Sequence, residues 1–105
     1  MSEKKFTSAD VPYEDVFTQE ELTNHIFVMK VFPEHFEETL VGNKLFEVRE
    51  YEGEQEGDLL FLREWDGKGY TGNWIKCRVT YIWYDGEHEQ FGMERDFCVI
   101  GFVIL

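Results

Sequence analysis

The sequence predicts an α+β protein, a small mixed β-barrel of about five or six strands with one or two short helices. The 105 residues suffice for one core, and 43% of them are apolar and 17% aromatic, a composition that favours strands. Strand-length apolar runs alternate with glycine-containing turns, and one segment with helical spacing follows the first run. No run approaches the ~20 apolar residues that a membrane helix needs.

Residues 1–24 are predicted to be an acidic N-terminal arm, and residues 25–105 the folded domain. The first ten residues present no apolar face and are expected to fray, and they lack the hydrophobic segment of a secretory signal. Val11, Tyr13, Val16 and Phe17 are expected to pack on the domain as an arm. Thr18 and Glu21 have the spacing of a capping box, which predicts a short helical turn at the end of the arm.

The domain begins with a predicted strand–helix–strand unit. Residues 26–32 form an apolar run that only Lys30 interrupts, and Pro33 suits the first position of a helix over residues 33–41. Gly42 is expected to cap that helix. The stretch that follows, read as GNKLFEVRE, alternates at strand period.

The second half of the domain is predicted to be three strands joined by turns. Residues 58–65 contain the uninterrupted apolar run 59–62, which favours a well-buried strand. Glycines mark a turn at residues 66–69 and a second bend at residues 71–73. A further strand over 74–84, a loop over 85–95 and a last strand over 96–105 complete the chain. Strict alternation places Ile75, Cys77, Val79, Tyr81 and Trp83 on one face of the long strand.

Lys44, Glu47 and Arg49 are the leading candidates for a ligand site. Alternation puts Glu47 and Arg49 on one strand face and Lys44 on the other, so joint action requires a bulge or a twist at the start of the strand. The cations can hold a phosphate or a carbonyl oxygen, and the carboxylate can accept from a base amino group. The structural alternative is a salt bridge from Glu47 to Arg49 or Lys30 that holds the barrel rim.

Four further residues are candidate ligand contacts. Lys30 interrupts an apolar strand, which favours either a cleft or an edge position with the ammonium group in water. Tyr70 and Trp74 flank the glycine-rich turns and could stack on a base, with a place in the core as the alternative. Thr71 offers a loop hydroxyl, which could also form the turn itself. Asp58 is predicted to cap the turn before its strand.

Charge and cysteine content limit the partners. The net charge of −12 disfavours a long phosphate-binding surface but permits a nucleobase-type ligand in a pocket or a basic protein partner. Cys77 and Cys98 are predicted to be buried free thiols in a reducing compartment, so the expected location is the cytoplasm. The three histidines lack metal-ligand spacing, and neither a metal nor a cofactor is predicted.

Five short patterns in this order resemble the ASCH-type branch of the PUA-like superfamily, and specifically a small bacterial and phage group within it. The patterns are K-x-x-P-E-x-F from Lys30, G-x-K-x-F-E-x-R from Gly42, G-D-x-L-x-L-x-E-W from Gly57, Y-T-G from Tyr70 and V-x-Y-I from Val79. The match spans residues 25–105, and although none of the patterns is specific alone, the ordered set is.

The resemblance implies a PUA-like pseudo-barrel that recognises RNA or a nucleobase in a cleft between the helix and the strand after it. Some relatives are amidohydrolases of acetylated nucleosides, in which a Lys and a Thr nucleophile stand where this chain has Lys44 and Glu47. A carboxylate cannot replace that nucleophile, although it can act as a general base on water. The sequence therefore favours binding over hydrolysis, with Lys44 and Glu47 as the catalytic candidates if there is an activity. An acidic protein-interaction or nucleic-acid-mimic module is the third hypothesis.

Overall fold

The computed structural model describes residues 16–84 and 97–105; the predicted loop and the first part of the arm lie outside the described residues. After a short 3-10 turn at Glu21–Thr23, the described chain forms one helix and five strands. In chain order these are β1 (Ile26–Val31), α1 (Pro33–Leu40), β2 (Phe46–Glu50), β3 (Leu59–Trp65), β4 (Tyr70–Tyr84) and β5 (Phe97–Ile104). No helix in residues 16–84 or 97–105 has the length and apolarity to cross a bilayer.

The strands form a single mixed sheet in the order β1-β3-β4-β5-β2. β1 runs parallel to β3, and each of the other neighbouring pairs is antiparallel. The two edge strands, β1 and β2, lie close to each other. Nη2 of Arg49 on β2 donates a hydrogen bond to the carbonyl oxygen of Lys30 on β1 at 2.6 Å. The sheet is thus curled into a half-barrel, which confirms the predicted small α+β barrel-like class.

The main core lies on the concave side of this sheet. It includes Leu60 and Leu62 of β3, Ile100 of β5 and Phe36, which α1 presents to the sheet. Pro33 begins the helix as predicted, and Gly42 at φ 86° donates its N–H to the Thr39 carbonyl just past the helix end. A residue with a Cβ rarely adopts that backbone angle, so glycine is favoured there.

A second apolar cluster covers the convex side of β1 and β3. Val16 and Phe17 of the arm pack there with Leu59 and Phe61, and the rings of Phe17 and Phe61 meet edge-on at 5.5 Å. Residues 59–62 are therefore buried on both faces, none more than 1% exposed, as their continuous apolar run predicts.

The predicted capping box of the arm is confirmed. The backbone N–H of Thr18 donates to Glu21 Oε1 at 2.9 Å, and the N–H of Glu21 donates to Thr18 Oγ1 at 3.1 Å. The same carboxylate pairs with Lys76 Nζ of β4 at 2.9 Å. The hydrogen bond from the Thr18 backbone and the contact with Lys76 together lower the pKa of Glu21. The end of the arm is thus tied to the sheet by charge as well as by packing.

The predicted faces of β4 are wrong beyond Val79. Val79 pairs with Phe102 and Tyr81 with Gly101, so β4 has one extra residue at this point, a β-bulge. Because a bulge reverses the alternation, Tyr81 is 58% exposed and Trp83 shares its outward face, while Ile82 packs against the core. The predicted bend at residues 71–73 is instead an irregular part of β4, where the pairing with β3 shifts register.

Replacing Ile100 by Ala should lower the free energy of unfolding by about 2–5 kcal/mol, because the shortened side chain leaves a cavity. Ile100 is 0% exposed, whereas Val103 on the opposite face of β5 is 44% exposed. Val103→Ala is the matched control and should cost less than about 1 kcal/mol. Urea unfolding followed by circular dichroism measures both, and equal losses would contradict the assignment of the two faces.

Candidate functional site

The edge strand β2 has its polar and apolar faces reversed. Phe46 and Val48 are 43% and 48% exposed, whereas Glu47 between them is only 5% exposed. Burying a carboxylate is unfavourable unless hydrogen bonds and opposite charges compensate for the lost water. A strand that turns its glutamate inward and its phenylalanine outward is thus not explained by core packing alone.

Glu47 is held between two cations. Its Oε2 accepts from Lys44 Nζ at 2.9 Å, and its Oε1 accepts from Arg49 Nε at 3.2 Å. Lys44 Nζ also donates to the Phe46 carbonyl at 2.9 Å. The contact with Arg49 is the internal salt bridge predicted as the structural alternative, and Lys44 adds a second. These residues form what we call the Glu47 cluster: Lys44, Glu47 and Arg49.

Lys44 reaches the cluster because it precedes the strand. The predicted alternation assumed a strand that includes Lys44, but β2 begins at Phe46. The N–H groups of Asn43 and Lys44 both donate to the Glu38 carbonyl of α1, so the chain is still leaving the helix at this point. Alternation therefore does not govern Lys44, and its side chain lies on the same side as those of Glu47 and Arg49.

The Glu47 cluster lines a cleft of about 450 Å³ between β1, the start of α1 and β2. Phe32 and His35 also line it, and both are exposed. Sequence reasoning assigned neither to the site. Nothing in the pattern around them shows that the start of α1 faces β2, because this depends on how the sheet curls.

Lys30 takes part through its backbone rather than its ammonium group. Its carbonyl accepts from Arg49 and it borders the cleft, but Lys30 Nζ lies 4.1 Å from the centroid of the Trp65 ring. Alternation along β1 separates Lys30 from the core residues Met29 and Val31. The side chain thus belongs to an aromatic cluster on the convex face.

Tyr70, Thr71 and Trp74 do not line the cleft of the Glu47 cluster. Tyr70 packs edge-on against Trp65 at 5.0 Å. Thr71 Oγ1 donates to Glu64 Oε1 at 2.7 Å. Trp74 lines a different cleft, between α1 and β3–β4. The structure therefore separates the predicted aromatic contacts from the predicted polar ones.

Three acidic residues lie on the other side of Arg49. Glu50, Glu52 and Glu54 border a cleft of about 240 Å³ that Arg49 shares. Glu54 is 2% exposed, and its Oε1 accepts the backbone N–H of Glu52 at 3.0 Å. The predicted turn cap at Asp58 is also present, since Asp58 Oδ2 accepts the N–H of Gln55 at 2.8 Å.

The two cysteines are buried free thiols, as predicted. Burial, reinforced by the charge of Glu47, raises the pKa of Cys77 to about 12. Burial and the charge of Glu54 raise the pKa of Cys98 to about 11. Both thiols therefore stay protonated and weakly nucleophilic at neutral pH. Residues 16–84 and 97–105 contain no cluster of His, Cys, Asp or Glu suited to a metal ion.

Replacing Glu47 by Ala should lower the free energy of unfolding by about 1–3 kcal/mol, because two charged donors lose their acceptor. Glu50 is exposed on the same strand, and Glu50→Ala should change stability by less than about 0.5 kcal/mol. Urea unfolding of the two variants measures the difference. Equal stability of the two would contradict a stabilising role for the Glu47 cluster.

A thiol reagent should label Cys77 and Cys98 far more slowly in the folded protein than in urea. The expected contrast persists at pH 9, where thiols with the ordinary pKa of 9.0 are half ionised, because both native pKa values lie higher. Mass spectrometry of timed samples measures the labelling. Equal rates in folded and unfolded protein would contradict the burial of these thiols.

Comparison with known proteins adds a family but no named activity. No curated protein sequence matches the chain. A family model described as "Domain of unknown function (DUF3850)" matches residues 26–102, which span β1 to β5 and contain the whole Glu47 cluster. Since that match covers well over half of the chain, the protein belongs to the DUF3850 family.

Proposed function

We propose that the protein binds a nucleotide-type ligand, namely a nucleobase, a nucleotide or the end of a short RNA, in the cleft lined by the Glu47 cluster. The observation that carries this proposal is the buried Glu47 held between Lys44 and Arg49 at an otherwise open cleft. Two cations around one anion leave a net positive charge at this point in a chain of net charge −12. Anionic or carbonyl-bearing ligands are favoured there.

The cluster retains hydrogen-bond donors for a ligand. Lys44 has three N–H groups, of which two donate to Phe46 and Glu47 within the described residues. Arg49 has five, of which one donates to Glu47 and one to the Lys30 carbonyl. The remaining donors suit phosphate oxygens or the carbonyl groups of a base. The salt bridges fix the side chains in advance, which reduces the entropy that binding must overcome.

Exposed aromatic rings at the cleft support recognition of a planar ligand. Phe32 is 54% exposed and Phe46 43% exposed, and both line the cleft with His35. Bases stack on aromatic side chains with little sequence preference. In this proposal Phe32 and Phe46 take the stacking role that the sequence assigned to Tyr70 and Trp74.

The charge balance favours pocket-type recognition. A site with two cations can neutralise one or two phosphates. A plot of the logarithm of the binding constant against the logarithm of the salt concentration should therefore have a slope of about −1 to −2.

The fold proposed for this function is PUA-like, with the ligand between α1 and β2. The proposed location is the cytoplasm, where nucleotides and reduced thiols are both abundant.

Hydrolysis of an acylated nucleoside is the alternative function of the same cleft. Its candidate residues, Lys44 and Glu47, are in direct contact at 2.9 Å. Both carboxylate oxygens already accept hydrogen bonds from cations, and Glu47 is 5% exposed. A general base must reach the proton that it removes, directly or through one water. These contacts favour binding over general-base catalysis.

Lys44→Ala and Arg49→Ala should each weaken nucleotide binding about tenfold or more, since each removes a charge-assisted hydrogen bond. The ligands are CMP, UMP, AMP, GMP and a short single-stranded RNA, titrated by calorimetry against the whole chain. Lys68→Ala, which removes an equal charge from the exposed turn between β3 and β4, is the control and should leave binding unchanged.

Circular dichroism of each variant establishes that it is folded. Unchanged binding in both cleft variants, or no binding of any of these ligands to the native chain, would overturn the proposal. Turnover of N4-acetylcytidine that disappears in Glu47→Gln would establish the hydrolase instead.

A further inference from the structure

The convex side of the sheet carries an apolar surface over β5 and its two neighbouring strands. Tyr81 of β4 lies opposite Gly101 of β5, and Val48 of β2 lies opposite Val99 of β5. Residues that lie directly opposite each other point to the same side of a sheet, and Ile100 between them faces the core. We call this surface the β5 face. Its members are Val48, Tyr81, Trp83, Val99, Gly101 and Val103.

Much of the β5 face is open to water. Tyr81 is 58% exposed, and Val48 and Val103 are exposed as well. Neither apolar cluster of the described residues includes a member of this face, because α1 packs on the concave side and Val16 and Phe17 pack over β1 and β3. Contiguous apolar surface that stays exposed on a folded chain commonly marks an interaction site.

Gly101 leaves a depression at the centre of the β5 face. Its backbone does not need glycine, because Gly101 is not among the glycines with positive φ. A Cβ added there would meet nothing closer than 3.7 Å, even though the bulge of β4 lies opposite. Glycine weakens the interior of a strand, and it often marks a place where another chain approaches closely. The depression therefore suits contact with a second molecule.

Opposite charges mark the two ends of the β5 face. Glu50 of β2 lies opposite Phe97 at one end, and Arg78 of β4 lies opposite Val103 at the other. Arg78 gives one N–H to the Gly57 carbonyl and has four more to donate. If two copies pack with antiparallel β5 strands, the Glu50 end of each lies over the Arg78 end of the other. Parallel packing would bring like charges together instead.

The centre of the face is complementary to itself in the same orientation. Val99 and Gly101 lie on either side of the midpoint between the two charged ends. Antiparallel packing about that midpoint places the Val99 side chain of each copy over the depression at Gly101 of the other. The face thus carries both halves of the match, which is the requirement for a two-fold symmetric contact.

The size of the β5 face limits the strength of such a contact. The face spans roughly 20 Å along β5 and roughly 10 Å between its outer strands, from the usual residue and strand spacings. Two faces of this size bury less than the ~1,200 Å² that separates weak complexes from stable ones, and their convex curvature reduces the contact further. The net charge of −12 on each copy also opposes association.

We propose that the β5 face binds a second copy of this chain in a weak, two-fold symmetric dimer. The two sheets pack face to face with their β5 strands antiparallel, as aligned sheets do in a β-sandwich. A second copy is favoured over an unrelated partner, because the face supplies its own complement in both charge and shape. The dimer requires no nucleotide and does not rest on the function proposed for the Glu47 cluster.

The test is sedimentation equilibrium of the full chain without nucleotide, in about 0.3 M NaCl to screen the repulsion between the two copies. The expected result is a reversible monomer–dimer equilibrium with a dissociation constant between about 10 µM and about 1 mM.

Tyr81→Glu should raise the dissociation constant at least about tenfold, because it places a carboxylate in the apolar contact of both copies. Val41→Glu is the matched control. Val41 is also an exposed apolar residue, but it lies at the end of α1 on the other side of the sheet. The control adds the same charge and should keep the dissociation constant within about twofold of the native value.

Gly101→Val is the second variant of the face. It should raise the dissociation constant at least about tenfold, because the new side chains fill the two depressions. Urea unfolding of the monomer should show equal or greater stability, since a Cβ fits at this position and valine favours strands. A merely structural role for Gly101 would instead lower the stability of the monomer.

Several results would overturn the proposal, with circular dichroism used to confirm that each variant is folded. These are a monomer at all concentrations up to about 1 mM, a dimer that both face variants leave intact, and a dimer that Val41→Glu weakens equally. A monomer in which the Tyr81 ring shows nuclear Overhauser effects to residues 1–15 would identify the arm of the same chain as the occupant, which also contradicts the proposal.

Discussion

The hydrogen bond from Arg49 to the Lys30 carbonyl is the interaction that bridges the open side of the half-barrel. It joins the two edge strands of the sheet, β1 and β2, which share no backbone ladder. Arg49 can span the gap because Glu47 orients its guanidinium group, and Lys44 balances the other carboxylate oxygen. The half-barrel is thus closed by side-chain electrostatics where a complete barrel would use strand pairing.

The same arrangement explains why the closure can also be a site. Backbone pairing between β1 and β2 would consume the edge donors and acceptors and fill the gap, whereas the Glu47 cluster leaves a cleft lined by cationic donors and exposed phenylalanines. The opposite flank of α1 meets a second cleft, whose charged lining residues are Glu37 and Glu64. One short helix therefore separates two clefts of opposite charge.

Most of the element order was predictable, because strand and helix periods, Pro33, Gly42 and the capping box at Thr18 act locally. The sequence did not predict which side chains of β4 face the core beyond Val79, because the bulge at Thr80 depends on pairing with β5. The Glu47 cluster was predictable as a set of residue types. The contact of both Lys44 and Arg49 with Glu47 was not predictable, because Lys44 belongs to the chain leaving α1 rather than to β2. Tyr70 and Trp74 were grouped with it although they lie on β4, which β5 separates from β2 in the sheet.

The sequence by itself determined the fold class, the burial of β3 and of both cysteines, and the residue types available for a polar site. These follow from local propensity and from the transfer of apolar side chains out of water. Only the tertiary structure decided which edge strands meet, that Glu47 is buried with two partners, and that the ammonium group of Lys30 lies over Trp65. Those outcomes depend on how far the sheet curls, and curl is a property of the assembled strands that no single segment encodes.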